Sequence, residues 1–196
     1  DAELVTGFSE EVTKEQFKRL LDEKKVEQVL NYEKVEAGDV FFIPARRIHA
    51  LGPGCMVAEI QQTSDTTYRV YDWDRIDQYG MYRELHVPQA LYTLDFKKED
   101  SYRTEYNRTK KDATVEMVSC PYFTTNFINL DATLAKDYSE LDSFVILMSV
   151  GGNFTLRYDG GEENVSFGEC ILIPNAVNKV EIHAQGECRI LESYIL

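Results

Sequence analysis

Val35-Glu-Ala-Gly38-Asp39-Val-Phe-Phe-Ile43-Pro44 and, 130 residues further on, Val165-Ser-Phe-Gly168-Glu169-Cys-Ile-Leu-Ile173-Pro174 share one pattern, V-x-x-G-(D/E)-x-x-x-I-P. Each part has a physical reading. The glycine permits a tight turn, the acid beside it sits on the solvent side, the apolar run fills a sheet interior, and the proline ends the strand. Such a unit is a building block of jelly rolls. Two copies so far apart predict two similar β-sandwich lobes and argue against a short-period solenoid.

The flanking sequence is largely strand-like. Val40–Ile43 and Met56–Ile60 are β-rich runs separated by Gly52-Pro-Gly54. In the second half, strands are expected at 114–120, 123–130, 143–150, 153–158, 165–173, 179–184 and 187–195. Helical spacing intrudes twice. Thr13-Lys-Glu-Gln16 reads as a capping box ahead of Phe17, Leu20 and Leu21, which predicts a helix at about 14–22. Val26, Val29 and Leu30 continue the apolar face after Lys24-Lys25 and predict a second short helix reaching Tyr32, so helices are expected within about 14–31. Pro88, with Ala90, Leu91 and Leu94 behind it, predicts a further helix at about 87–95. Lys97–Asp112 is nearly all polar and reads as the connection between lobes, with the boundary near 105. The expected fold is mainly β, with two jelly-roll lobes at 1–104 and 105–196 and a short helical insertion near the N-terminus.

Composition narrows the function. The 196 residues are 43% hydrophobic and 28% charged, and no apolar run approaches the ~20 residues of a membrane-spanning helix. A net charge of -13 repels nucleic acid and acidic membrane surfaces, so neither is an expected partner. A phosphorylated small molecule is compatible only where arginine or lysine is concentrated locally. Cys55, Cys120, Cys170 and Cys188 are too widely spaced for a zinc knuckle or a disulfide scaffold, which predicts reduced thiols and a cytoplasmic setting. The first residue is Asp1, as expected of a processed chain or of part of a longer one.

The two repeat copies differ where chemistry is possible. His49 lies five residues past Pro44, whereas the same step from Pro174 reaches Lys179. Imidazole is a good zinc ligand, but three or four ligands define a site, and a lone histidine also reads as a half-buried structural residue. Arg69 on its own reads as a surface arginine paired with Asp65 or Asp72. Arg46 and Arg47 read either as phosphate contacts or as a solvated loop. No role is expected of His86 or His183, and Tyr68, Tyr71, Trp73, Tyr79 and Tyr82 read as packing.

The stretch Ile43-Pro-Ala-Arg-Arg-Ile-His49-Ala-Leu-Gly52, followed by Gln62-Thr-Ser-Asp-Thr-Thr-Tyr-Arg69-Val-Tyr-Asp72 and then Arg83-Glu-Leu-His86, resembles the class I, cupin-type mannose-6-phosphate isomerases in order and spacing. The resemblance implies a zinc-dependent isomerase interconverting mannose 6-phosphate and fructose 6-phosphate, with His49 as a zinc ligand and Arg69 as the catalytic arginine. It also implies that residues 1–104 are the C-terminal part of the catalytic cupin lobe, the family's remaining zinc ligands lying upstream of the segment that matches Asp1. A sugar phosphate is then the expected substrate, weak or absent zinc binding is expected of these residues alone, and an incomplete barrel is expected to favour self-association. The competing reading is a non-catalytic cupin module for sugar-phosphate binding or assembly.

Overall fold

The computed structural model describes residues 2–64 and 66–195. The chain divides into two compact units. The first runs up to Val57 and includes Thr63–Arg103, and the second comprises Ala58–Gln62 and the chain from Thr104 onward. Among the described residues, no helix is long and apolar enough to cross a membrane.

In the first unit, β1 (Glu3–Phe8) lies between β2 (Leu30–Lys34) and β3 (His49–Leu51), antiparallel to both. Helix α1 (Lys14–Asp22) begins at a complete capping box. The Gln16 N–H donates to Thr13 Oγ1 at 3.2 Å, and the Thr13 N–H donates to Gln16 Oε1 at 2.8 Å. Its buried Phe17 meets Phe8 edge-on at 5.6 Å, and Phe96 stacks on Phe8 at 5.9 Å. The helix expected over 14–22 forms, and the second short helix expected to reach Tyr32 is cut to one turn. Lys24 adopts a left-handed φ of 56°, Val26–Val29 make a single 3-10 turn, and Leu30 opens β2. Val26, Val29 and Leu30 still reach the core, but from a turn and a strand start.

Both copies of the repeat close the same turn with the same hydrogen bonds. Gly38 and Gly168 have φ of 92° and 84°. The Asp39 N–H donates to Glu36 O (3.1 Å) and the Glu169 N–H to Ser166 O (3.0 Å). Reciprocally, the Glu36 N–H donates to Asp39 Oδ2 (3.1 Å) and the Ser166 N–H to Glu169 Oε2 (2.9 Å). The prolines also open equivalent turns, Arg47 N–H to Pro44 O (3.2 Å) and Val177 N–H to Pro174 O (2.9 Å). The acid therefore locks the turn as well as solvating it. In the first copy it is not on the solvent side at all, because the Asp39 side chain is 2% exposed and Arg103 Nη1 reaches it at 3.1 Å.

After the turn the copies diverge. Cys170–Ile173 forms a strand, but Val40–Ile43 and Met56–Ile60, both expected as strands, carry no ladder. A ladder needs a neighbour, and the three-stranded sheet of the first unit offers these runs none.

Helix α2 (Val87–Thr93) begins with Pro88 in its first turn and buries Ala90 and Leu91. Beyond it, Lys97–Asp112 is less of a free connection than its polarity suggests. Tyr102 is buried, and its hydroxyl accepts from the Phe8 N–H and donates to the Phe8 carbonyl, both at 3.0 Å. Gly7 has a φ of 66°, and a Cβ there would lie 2.3 Å from the Tyr102 ring, so only glycine lets the ring approach.

The second unit is a sandwich of a five-stranded and a four-stranded antiparallel sheet. The first, in the order β10-β7-β12-β5-β4, is built from Thr114–Ser119 (β4), Thr124–Leu130 (β5), Val145–Gly151 (β7), Cys170–Ile173 (β10) and Cys188–Tyr194 (β12). The other, in the order β6-β11-β8-β9, is built from Thr133–Asp137 (β6), Phe154–Tyr158 (β8), Gly161–Val165 (β9) and Lys179–Ala184 (β11). Ile128, Leu147 and Ile190 from one sheet interlock with Phe154, Leu156 and Ile182 from the other. Of the strand expected at 165–173 only Cys170–Ile173 forms beyond the Gly168 turn, and neither β6 nor β9 was expected. At one end of the core the 1%-exposed Glu192 accepts from Asn126 Nδ2 (2.8 Å), Tyr138 Oη (2.6 Å) and Lys136 Nζ (2.8 Å). Burial beside that carboxylate pushes the Tyr138 hydroxyl far above the ordinary tyrosine range.

Candidate functional site

Tyr68–Asp72 passes through the first unit without a ladder, anchored by Val70 in the core and by the Asp72 carboxylate. Asp72 does not pair with Arg69, as the residue spacing suggested. It accepts from Arg75 Nη2 at 2.7 Å and from Arg83 Nε at 2.8 Å, with Arg83 Nη2 also on its Oδ1. The Arg83 hydrogen bond foremost, with Arg75 beside it, holds the Asp72 carboxyl down at about 2. Asp65, the other acid expected near Arg69, lies outside the described residues.

Between Asp72 and Arg83 the chain makes an excursion. Trp73 and Asp74 are left-handed, Ile76 bridges to Tyr82, and Asp77 Oδ1 accepts from the N–H groups of Tyr79 (2.8 Å) and Met81 (2.9 Å). Asp72 and Arg83 therefore clasp its base. Of the aromatic residues expected as packing, Tyr71 lies against the core and Trp73 packs on it at 5.1 Å, whereas Tyr79 and Tyr82 do not pack, being 79% and 70% exposed.

Directly after the clasp, three groups converge on Arg69. The His86 N–H donates to the Arg69 carbonyl at 2.7 Å, the Arg69 N–H donates to His86 Nδ1 at 3.2 Å, and Arg69 Nη1 donates to the Glu84 carbonyl at 3.2 Å. Arg69 is half-buried, and its Nε and Nη2 have no partner among the described residues. The guanidinium is thus oriented while keeping donors for an oxyanion. Beside it, Tyr68, Pro88, Gln89, Tyr92 and Thr93 line a shallow open depression.

His49 opens β3 opposite Thr6, as Lys179 opens β11 at the same step of the other copy. The His49 Nδ1 lies 3.0 Å from the Arg47 carbonyl. A carbonyl only accepts, so Nδ1 carries the proton, and the Nε2 lone pair of the neutral ring has no partner among the described residues. A histidine metal ligand is normally held in this way, with its second nitrogen on a backbone carbonyl. His49 therefore fits as one metal donor. A whole zinc site does not fit these residues, because no group of three or more His, Cys, Asp or Glu is placed to hold an ion among the described residues.

No hydrogen bond joins His49 to Arg69 among the described residues. Lys179 is an exposed surface lysine, 3.5 Å from Asp137. His183 sits between Thr133 Oγ1 and Glu181 Oε2, both at 3.0 Å. Arg46 and Arg47 are held by contacts within the unit and do not form a freely solvated loop. Arg46 Nε donates to the Thr93 carbonyl (2.7 Å), while Arg47 lies over the Tyr102 ring, donates to the Phe42 carbonyl (3.0 Å) and meets Glu99 (3.3 Å). The residue that the sequence reading passed over is His86. Its position directly before a proline-started helix was the available signal, since a polar side chain there is placed to bond backbone.

Residues 113–195 match the family model described as the cupin domain of mannose-6-phosphate isomerase. Along nearly its whole length the chain is similar to the mannose-6-phosphate isomerase ManA of Bacillus subtilis (29% identity over 191 residues, 96% of this chain and 59% of that protein). It is likewise similar to the mannose-6-phosphate isomerase of Streptococcus mutans (28% identity, 98% of this chain and 60% of that protein). The crystal structure of the Bacillus subtilis mannose 6-phosphate isomerase superposes with a TM-score of 0.85 at 27% identity, covering 98% of this chain and 60% of that one. The fold is therefore the cupin β-fold, and the resemblance to mannose-6-phosphate isomerases extends over nearly the whole chain. The chain spans about three fifths of the length of the curated relatives it matches.

Proposed function

We propose that these residues form part of a mannose-6-phosphate isomerase, an intramolecular oxidoreductase interconverting mannose 6-phosphate and fructose 6-phosphate, in which Arg69 is the catalytic cation. The supporting observation is the fixed, half-buried Arg69 with two guanidinium nitrogens open, within a chain similar to such isomerases over nearly its whole length. Aldose-ketose isomerisation moves a proton between C1 and C2 through an enediolate, whose negative charge needs a cation already in place. Arg69 meets that need because its guanidinium stays charged and is held by Glu84 before substrate arrives.

We assign His49 Nε2 as one metal donor. Zinc, when bound, would polarise substrate oxygens. A single imidazole makes only part of a zinc site, and weak zinc binding is the expected property of these 196 residues alone. Four unpaired cysteines suit a cytoplasmic enzyme of carbohydrate metabolism.

The test is the rate of mannose 6-phosphate conversion by the natural polypeptide that carries these residues, wild type against Arg69→Lys. A fall in kcat of about a hundredfold or more is expected, the scale seen on removing one oriented oxyanion donor. An unchanged rate would remove Arg69 from the chemistry, and a wild type without turnover would remove the isomerase reading. The reading as an assembly module draws on Leu51, Met56 and Val57, each more than half exposed. A monomer in sedimentation would count against it.

A further inference from the structure

We propose that His86 is the positioning residue for Arg69, acting as a neutral imidazole with its proton on Nε2. The proposal deepens the reading of Arg69 given above and rests on it for its catalytic consequence. His86 holds Arg69 at two points of the backbone, accepting the Arg69 N–H on Nδ1 (3.2 Å) and donating its own N–H to the Arg69 carbonyl (2.7 Å). The second bond is main-chain and survives any side-chain change. The first needs a lone pair on Nδ1, which exists only in the Nε2–H tautomer.

The surroundings favour that tautomer. Nε2 faces the Glu84 carboxylate at 3.8 Å, and the Tyr68 ring lies 6.2 Å from the imidazole. The backbone that carries the ring is fixed, because His86 is the residue from which α2 starts, and the Ala90 N–H donates to its carbonyl at 2.9 Å. One short segment thus fixes both ends of Arg69: Glu84 O takes the guanidinium, and His86 takes the backbone. Arg69 has no regular strand or helix to define its φ and ψ, so this pair of contacts substitutes for a ladder.

Asparagine places its side-chain carbonyl oxygen near the Nδ1 position, whereas glutamine reaches toward Nε2. His86→Asn should therefore keep the acceptor, and His86→Ala and His86→Gln should lose it. Two readouts follow. In nitrogen-15 NMR of this chain, His86 Nδ1 should show the shift of an unprotonated ring nitrogen. The Arg69 Nε–H signal should become more mobile in His86→Ala and His86→Gln and stay ordered in His86→Asn. In the natural polypeptide, kcat for mannose 6-phosphate should fall by tenfold to a hundredfold in His86→Ala, roughly the effect of ~1 Å of misplacement, and recover in His86→Asn. KM should change less, as fits an interaction that orients a group for the transition state.

A proton on Nδ1, or an Arg69 side chain equally ordered in all three variants, would overturn the proposal, as would an undiminished kcat in His86→Ala. A wild type without turnover would defeat the isomerase reading alone, and the NMR result would still decide the role of His86. Undisturbed amide signals from β1, β2 and α1, which belong to the same unit as His86, would show that the variants remain folded.

Discussion

Replacing Asp72 by asparagine should separate the electrostatic from the geometric work of the clasp beside Arg69. The Asp72 carboxyl is held at about 2 instead of its ordinary 3.8, which at full weight corresponds to about 2.4 kcal/mol at neutral pH. Arg75 and Arg83 are 62% and 45% exposed, so solvent screening reduces this to about 1 kcal/mol. The sign follows from the depressed value. The native state holds the carboxylate more strongly than the unfolded chain, so the contribution is complete above about pH 5, declines as pH falls, and is lost below about pH 2. Urea unfolding followed from pH 7 to pH 2 should show the wild type losing about 1 kcal/mol more than Asp72→Asn, with the two converging at the acid end. The asparagine should also free the Arg83 guanidinium, loosening the segment that carries Glu84 and His86 to Arg69, and lower kcat without unfolding the unit. Equal stability of the two proteins at pH 7, or parallel pH curves, would refute the assignment of the ion pair.

The other expectations are structural. Gly7→Ala brings a Cβ within 2.3 Å of the Tyr102 ring at a left-handed φ, so a loss of about 2–4 kcal/mol is expected in chemical denaturation, and an unshifted midpoint would mean that the ring has room to move. Glu192→Ala strands a lysine, a tyrosine hydroxyl and an amide and should cost about 3–5 kcal/mol, whereas Glu192→Leu combined with Lys136→Met should cost far less; thermal unfolding of both variants gives the comparison. Thr13→Ala removes half of a capping box and should cost about 1 kcal/mol, read from the urea midpoint.

What the sequence displays best is local chemistry repeated or closed within a few residues. The V-x-x-G-(D/E) turns and the Thr13–Gln16 box depend on partners three residues away, and both form, although the acid of the first turn is buried against Arg103 where solvent was expected. The misreadings arise where the partner is distant. Val40–Ile43 has the composition of a strand but no neighbouring ladder, while Thr133–Asp137 looks too polar for one yet pairs with β11 along its whole length. Lys136 fits there because its ammonium reaches a carboxylate contributed by β12. At the candidate site, Asp72 looked like the counter-ion of Arg69 by spacing alone. Arg83, eleven residues on, takes that carboxylate, and Arg69 turns to a backbone carbonyl and a histidine that no short-range pattern connects to it.

The hydroxyl of Tyr102 closes on the Phe8 backbone across 94 residues of chain, and that sets a clock. At roughly 5–20 residues synthesised per second, the end of β1 waits about 5–20 s for its last partner to emerge. Through that interval the strand's polar groups and the space above Gly7 are open to other chains. A nascent polypeptide stalled before residue 102 is therefore the form of this protein most exposed to mispairing, and the one that should depend most on chaperones.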